Sequence, residues 1–182
     1  MGPLIILSRG IDRLNYWVGV LASIAVIASC AISAGNAFVR YGLSTSSNAW
    51  LEVQWYLFAA MVMLGGAYTL YRNEHVRVDL LYAIYKPRTR LWVDVFGFIV
   101  FMLPGVILLA WMTWPFFLDS VYRHEGSPNA GGLLRWPVKL LLPVGFALLA
   151  LQGFSELIKR IALLRGISDV PDAITEYVRP EQ

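Results

Sequence analysis

The 182-residue sequence holds one cysteine and two histidines. Cys30 alone makes no intrachain disulfide, and inside an apolar run a lone thiol reads as packing surface. His75 and His124 fall outside the long apolar runs and on opposite sides of them, which excludes a haem held between two histidines. Cysteine pairs, histidine–carboxylate clusters at metal-ligand spacing and a phosphate-cradling glycine loop are all missing. No enzymatic activity, metal or cofactor is expected on these grounds.

Charge is scarce too. Charged residues are 15% of the chain against 58% hydrophobic and 14% aromatic, which excludes an ordinary soluble domain. The 15 basic and 12 acidic side chains are segregated, because the stretches 14–39, 53–71, 95–118 and 140–155 hold none. A bilayer core about 30 Å thick takes about 20 apolar helical residues. The pattern therefore predicts an all-α membrane protein with four transmembrane helices, at about 14–39, 50–72, 92–118 and 137–158. Closed barrels would show shorter, alternating segments. A net charge of +3 calls for no nucleic-acid partner.

Arg9 and Arg13 before an apolar run, with small residues after it, resemble a signal peptide. The run from Tyr16 to Phe38 is far longer than a secretory core of about 7 to 15 residues, so an uncleaved first span is expected. Lys and Arg in the flanking segments split eleven to four, which predicts cytoplasmic termini and a cytoplasmic middle loop. Loops near 40–50 and 119–136 are then outside. Trp17, Trp50, Trp55, Trp92, Trp114 and Trp136 sit where spans end and read as interfacial anchors.

Between the second and third spans, Val78, Leu81, Tyr82 and Tyr85 share one helical face, and Arg77, Asp79 and Lys86 give polar edges. Residues 76–86 are expected to form a short amphipathic interfacial helix on membrane lipid, stopped by Pro87. His75 and Asp79, four apart, brace it. Residues 166–182 read as a polar tail.

Ala25, Ser29 and Ser33, continued by Ala22 and Asn36, form a small-residue stripe that admits a close helix, either within the bundle or from another protein. Pro104–Gly105 and Pro143 with Gly145 are expected to bend the third and fourth helices. Glu52 lies one turn into the second helix, where Asn48 is placed to cap it and Arg135 or Lys139 to pair with it. No span carries charge near its centre and no inverted repeat is evident, so the chain alone is not expected to hold a substrate site.

Arg40-Tyr41, Glu52, Tyr56-Leu57-Phe58, Leu64-Gly65-Gly66-Ala67 and His75-Val76-Arg77-Val78-Asp79 occur in that order. Gly131-Gly132 before Trp136-Pro137 and the stretch from Pro143 to Gln152 complete the series. Together they resemble the small membrane subunit of TRAP (tripartite ATP-independent periplasmic) transporters, the DctQ-like component. The resemblance implies a four-helix subunit of the bacterial inner membrane, beside a large DctM-like permease subunit and served by a periplasmic substrate-binding protein. It further implies ion-coupled uptake of an organic acid, sodium being the family's coupling ion, with sodium and substrate sites in the large subunit. Many relatives open the second helix with two adjacent acids; here Leu51 takes the first place, so no role needing a carboxylate pair carries over. The wording from Asn48 to Trp55 resembles the branch associated with mannitol, chloroaromatic acids and 2-oxo acids. Two other classes fit the composition: a self-contained oligomeric carrier or channel, and the membrane anchor of a redox complex.

Overall fold

The computed structural model describes residues 2–45, 47–75 and 84–167, and its long apolar runs are all helical. The helices are α1 (Gly2–Gly42), α2 (Asn48–Tyr71), α3 (Pro87–Tyr122) and α4 (Trp136–Leu164). The shortest has 24 residues, about 36 Å at 1.5 Å each, and so exceeds a hydrocarbon core of about 30 Å. All four are long and apolar enough to cross a bilayer; this is a multi-pass membrane protein. Residues 76–83, with Arg77, Asp79 and most of the expected interfacial helix, lie outside the described residues, as does the tail from 168.

Local sequence accounts for the helix limits. Pro87 and Pro137 stand in the first turns of α3 and α4, where an absent N–H breaks no bond. α1 starts twelve residues ahead of the predicted span because its only early proline, Pro3, is also in a first turn, and nothing after it breaks the helix. The ends of α2, α3 and α4 share one device, a left-handed residue just past the helix. Asn73, His124 and Gly166 take φ of 58°, 49° and 77°. The next N–H then reaches back to a free carbonyl, as Glu125 N does to Ser120 O at 3.0 Å.

α3 carries a π-helical turn at Phe98–Met102, where the sequence predicts a bend at Pro104–Gly105. Pro104 has no N–H and its ring crowds the carbonyl four residues back, and the wider turn relieves both. That turn pushes Met102 and Leu103 toward α4 at Gly153, where a Cβ would lie 2.7 Å from Met102 Sδ. At Gly145 a Cβ would lie 2.7 Å from the Met63 carbonyl oxygen, so the backbones of α2 and α4 touch there. α4 packs against all three other helices and buries the most residues. The bundle has two ends. The terminal end holds the start of α1 and the end of α4; the loop end holds the segments 43–47 and 123–135.

Candidate functional site

Hydrogen-bonded polar side chains gather at each end of the bundle, and the stretches 14–39, 53–71, 95–118 and 140–155 between carry no charge. At the loop end, Asn48, Glu52 and Tyr56 occupy successive turns on one face of α2, spaced i, i+4, i+8. That face meets the α3–α4 connection, which is folded into a small clip. Ser127 N bonds Leu133 O and Arg135 N bonds Glu125 O, each at 2.9 Å, around an antiparallel bridge of Gly126 with Leu134. Gly131, at φ 69°, turns the chain at the tip.

All three α2 side chains bond this clip. Asn48 Nδ2 donates to Ala130 O at 3.0 Å, and the Tyr56 hydroxyl donates to Leu134 O at 2.8 Å. Glu52, 4% exposed, accepts from Leu133 N at 2.7 Å, Asn129 Nδ2 at 2.9 Å and the Ser127 hydroxyl. Gly132 allows the approach, since a Cβ there would lie 2.9 Å from Glu52 Oε1 and 2.4 Å from Ser127 Cβ.

Two sequence expectations are corrected here. Glu52 pairs with neither Arg135 nor Lys139; three neutral donors of the clip hold it. Lys139 forms its ion pair with Glu125 and lies 3.9 Å over the Phe116 ring. The Lys139 hydrogen bond holds the Glu125 carboxyl below its ordinary 4.5. Asn48 does not cap α2: Ser47 is at the cap position without a side-chain bond, and the Asn48 amide reaches the clip instead. The connection folds back and puts backbone and side-chain donors of the clip against Glu52 in place of the cations.

At the terminal end lies a second cluster, which draws on all four helices. Ser8, Asp12 and Asn15 line one face of α1, and Gln152, Ser155, Glu156 and Lys159 line one face of α4. Lys159 Nζ sits 3.1 Å from Asp12 Oδ2 and 2.5 Å from Glu156 Oε1. Arg160 bridges Glu156 Oε2 at 2.5 Å and Asp94 Oδ2 of α3 at 2.9 Å. Gln152 Nε2 donates to Asp12 Oδ1 at 2.9 Å and to Glu156 Oε1 at 3.1 Å, and its own oxygen accepts from Asn15 Nδ2 at 2.8 Å. Ser155 donates to Asp12 Oδ1 at 2.8 Å and meets the Ser8 hydroxyl at 2.7 Å. The ring of Phe98, from the π-helical turn, lies 4.7 Å from the Arg160 guanidinium, and that of Tyr71 from α2 lies 5.7 Å from Lys159 Nζ.

Arg160 and Glu156 are each 1% exposed. Lys159 and Arg160 are among the eleven flanking basic residues counted for orientation, and the structure buries both. Without them the charge split is nine to four and keeps its sign. The signal that could have revealed the cluster is the seven-residue spacing common to Ser8–Asn15 and Gln152–Lys159.

The other singled-out residues are scattered. Trp55 is 67% exposed, His75 is exposed just beyond α2, and Arg77 and Asp79 lie outside the described residues. The α1 stripe divides: Ala22 and Ala25 are buried, Ser29 is half-buried and Ser33 is exposed. Among the described residues no group of three or more His, Cys, Asp and Glu could hold a metal ion.

Residues 29–163 match the family model for tripartite ATP-independent periplasmic transporters, DctQ component, so the chain belongs to that family and is a small subunit of a TRAP transporter. No curated protein and no solved structure matches it.

Proposed function

We propose that this subunit is a rigid brace: it lies in the bacterial inner membrane with both termini cytoplasmic and supports the DctM-like large permease subunit while that subunit moves. The supporting observation is where the polar groups lie. A carrier places hydrogen-bonding and charged groups at the bilayer midplane. Here they are interlocked at the two ends, with glycine-mediated backbone contact between. Such a bundle resists shear among its helices and offers no polar path through its middle. In this orientation the clip faces the periplasm, with Arg123, His124 and Leu134 exposed on it, and forms a preformed ledge for the substrate-binding protein. The transport served is ion-coupled uptake of an organic acid, sodium being the family's coupling ion, and the wording of residues 48–55 favours the mannitol, chloroaromatic and 2-oxo acid branch.

The test is reconstitution. A tagged copy, co-expressed with its large subunit and binding protein, should co-purify with the large subunit and support uptake in liposomes. Leaving this chain out should abolish uptake, and this chain alone should move nothing. Full uptake by large subunit and binding protein without it would refute the brace.

A further inference from the structure

The first turns of α1 are built inside out. Ser8, Asp12 and Asn15 are buried toward α4, while Ile6, Leu7 and Leu14 are 70%, 55% and 47% exposed. Gly10 shares that outward face, and among the described residues nothing lies within 4 Å of a Cβ built there. Arg9 and Arg13, also exposed, run along one edge of it. Acyl chains do not reach this surface. Trp17, 58% exposed, reads as the interfacial anchor of the span, and Leu7 lies ten residues ahead of it, about 15 Å along the helix. Headgroups add only about 5–8 Å on each side of the hydrocarbon. Ile6 and Leu7 therefore stand past the lipid, where apolar surface left in water is unfavourable.

The other end of the chain arrives at the same place. Ser155 meets Ser8 at 2.7 Å, and α4 runs nine residues farther, about 14 Å, to Leu164, about level with the start of α1. Gly166, at φ 77°, ends the helix there, and Ile167 N bonds back to Ala162 O at 3.1 Å, which reverses the chain. The sequence that follows, 168–182, matches the exposed face of α1 in three respects. Val170, Ala173, Ile174, Tyr177 and Val178 recur at i, i+3, i+4, i+7 and i+8, which is one face of a helix. Pro171 and Asp172 suit a first turn and Pro180 a stop, and a helix from Val170 to Val178 measures about 12 Å, the same as Ile6 to Leu14. The charge has the opposite sign: Asp169, Asp172, Glu176 and Glu181 stand against Arg179 alone.

We infer that residues 168–182 fold back as an amphipathic helix onto Ile6, Leu7, Gly10 and Leu14 of α1, with their acids toward Arg9 and Arg13. The contact goes beyond the brace and does not depend on it. In the full chain in bilayer nanodiscs, with Cys30→Ser as background, a maleimide should label Leu7→Cys slowly. Deleting 168–182 should speed that labelling by about fivefold or more, and Ile174→Asp should do the same. Arg123→Cys, exposed at the other end of the bundle, should label at one rate throughout. A diazirine side chain in place of Leu7 should give an intramolecular adduct mapped to 168–182, both in the isolated chain and beside the large subunit. Labelling of Leu7→Cys that ignores the deletion, or an equal rise at Arg123→Cys, would overturn the inference. So would adducts from position 7 with lipid alone, with a second copy of this chain, or with the large subunit in place of the tail. Failure of the large subunit to co-purify would sink the brace and leave these readouts unchanged.

Discussion

Glu156 holds two cations in the terminal cluster, Lys159 and Arg160, and its removal gives the sharpest test of that cluster. Oε1 accepts from Lys159 and Gln152, and Oε2 accepts from Arg160, all at 2.5 to 3.1 Å and out of reach of solvent. Taking one partner from a buried ion pair costs about 3–5 kcal/mol, since the other charge stays buried without it. Glu156→Leu would deprive two cations, but each keeps a second carboxylate: Asp12 for Lys159 and Asp94 for Arg160. The expected cost is therefore near the lower limit, about 3 kcal/mol. Arg160→Met should cost about the same, because it leaves Glu156 with one cation, Lys159, and removes the ion pair to α3.

The double variant separates this reasoning from a general sensitivity of the site. With carboxylate and guanidinium both replaced by apolar groups, neither strands the other. The combined loss should then fall short of the sum of the singles by at least about 2 kcal/mol. Unfolding by SDS in mixed micelles, followed by the fluorescence of the seven tryptophans, measures all four corners of the cycle. Single variants within about 0.5 kcal/mol of the parent would show that the cluster is hydrated in the membrane-embedded protein. Additive losses would show that Glu156 and Arg160 act independently. Either result refutes the interlock.

Three further outcomes test the rest of the structure. Glu52→Gln leaves one acceptor oxygen for the Leu133 N–H and the Asn129 amide, and trypsin cleavage after Arg135 should rise by about tenfold or more as the clip opens; unchanged cleavage would mean that the clip holds itself. Glu125, whose pKa is depressed by Lys139, contributes stability that is present above its ordinary 4.5 and lost as pH falls through its lower folded value. The parent should therefore lose stability between neutral pH and the acid side of 4.5 more steeply than Glu125→Gln, and parallel pH curves would remove that ion pair from the account. Gly145→Ala places a methyl 2.7 Å from the Met63 carbonyl oxygen and should cost about 1–3 kcal/mol in the same SDS titration, a loss that a loose α2–α4 contact would not show.

The four spans were legible in the sequence because exclusion of charge over twenty residues is close to all-or-none in hydrocarbon, and only a helix satisfies the backbone there. The clip was not. Glu52 meets Ser127, Asn129 and Leu133 across 75 to 81 residues of chain, a separation that carries no periodic signal. Only Asn48, Glu52 and Tyr56, aligned on one face of α2, hinted that something polar lay opposite. The terminal cluster was half-legible. Its two stripes lie in the spacing, but charge at the end of a span normally reaches the headgroups, so nothing in the sequence marks Lys159 and Arg160 as buried. They are buried because Asp12 and Asn15, on a helix that begins twelve residues ahead of its apolar run, continue the bundle past the hydrocarbon.

That extension bears on function. A first helix that began only with its apolar run would leave Lys159 without Asp12 and Ser155 without Ser8, and α1 would have no tie to α4 at this level. By carrying Ser8 and Asp12 onward, α1 ties α4 at a level where α3 also arrives through Asp94 and α2 through Tyr71. At the loop end, the clip ties the start of α2 to the connection between α3 and α4. The second half of α1 takes part in neither tie, and its exposed surface carries Ile27, Phe38 and Val39 beside Ser33.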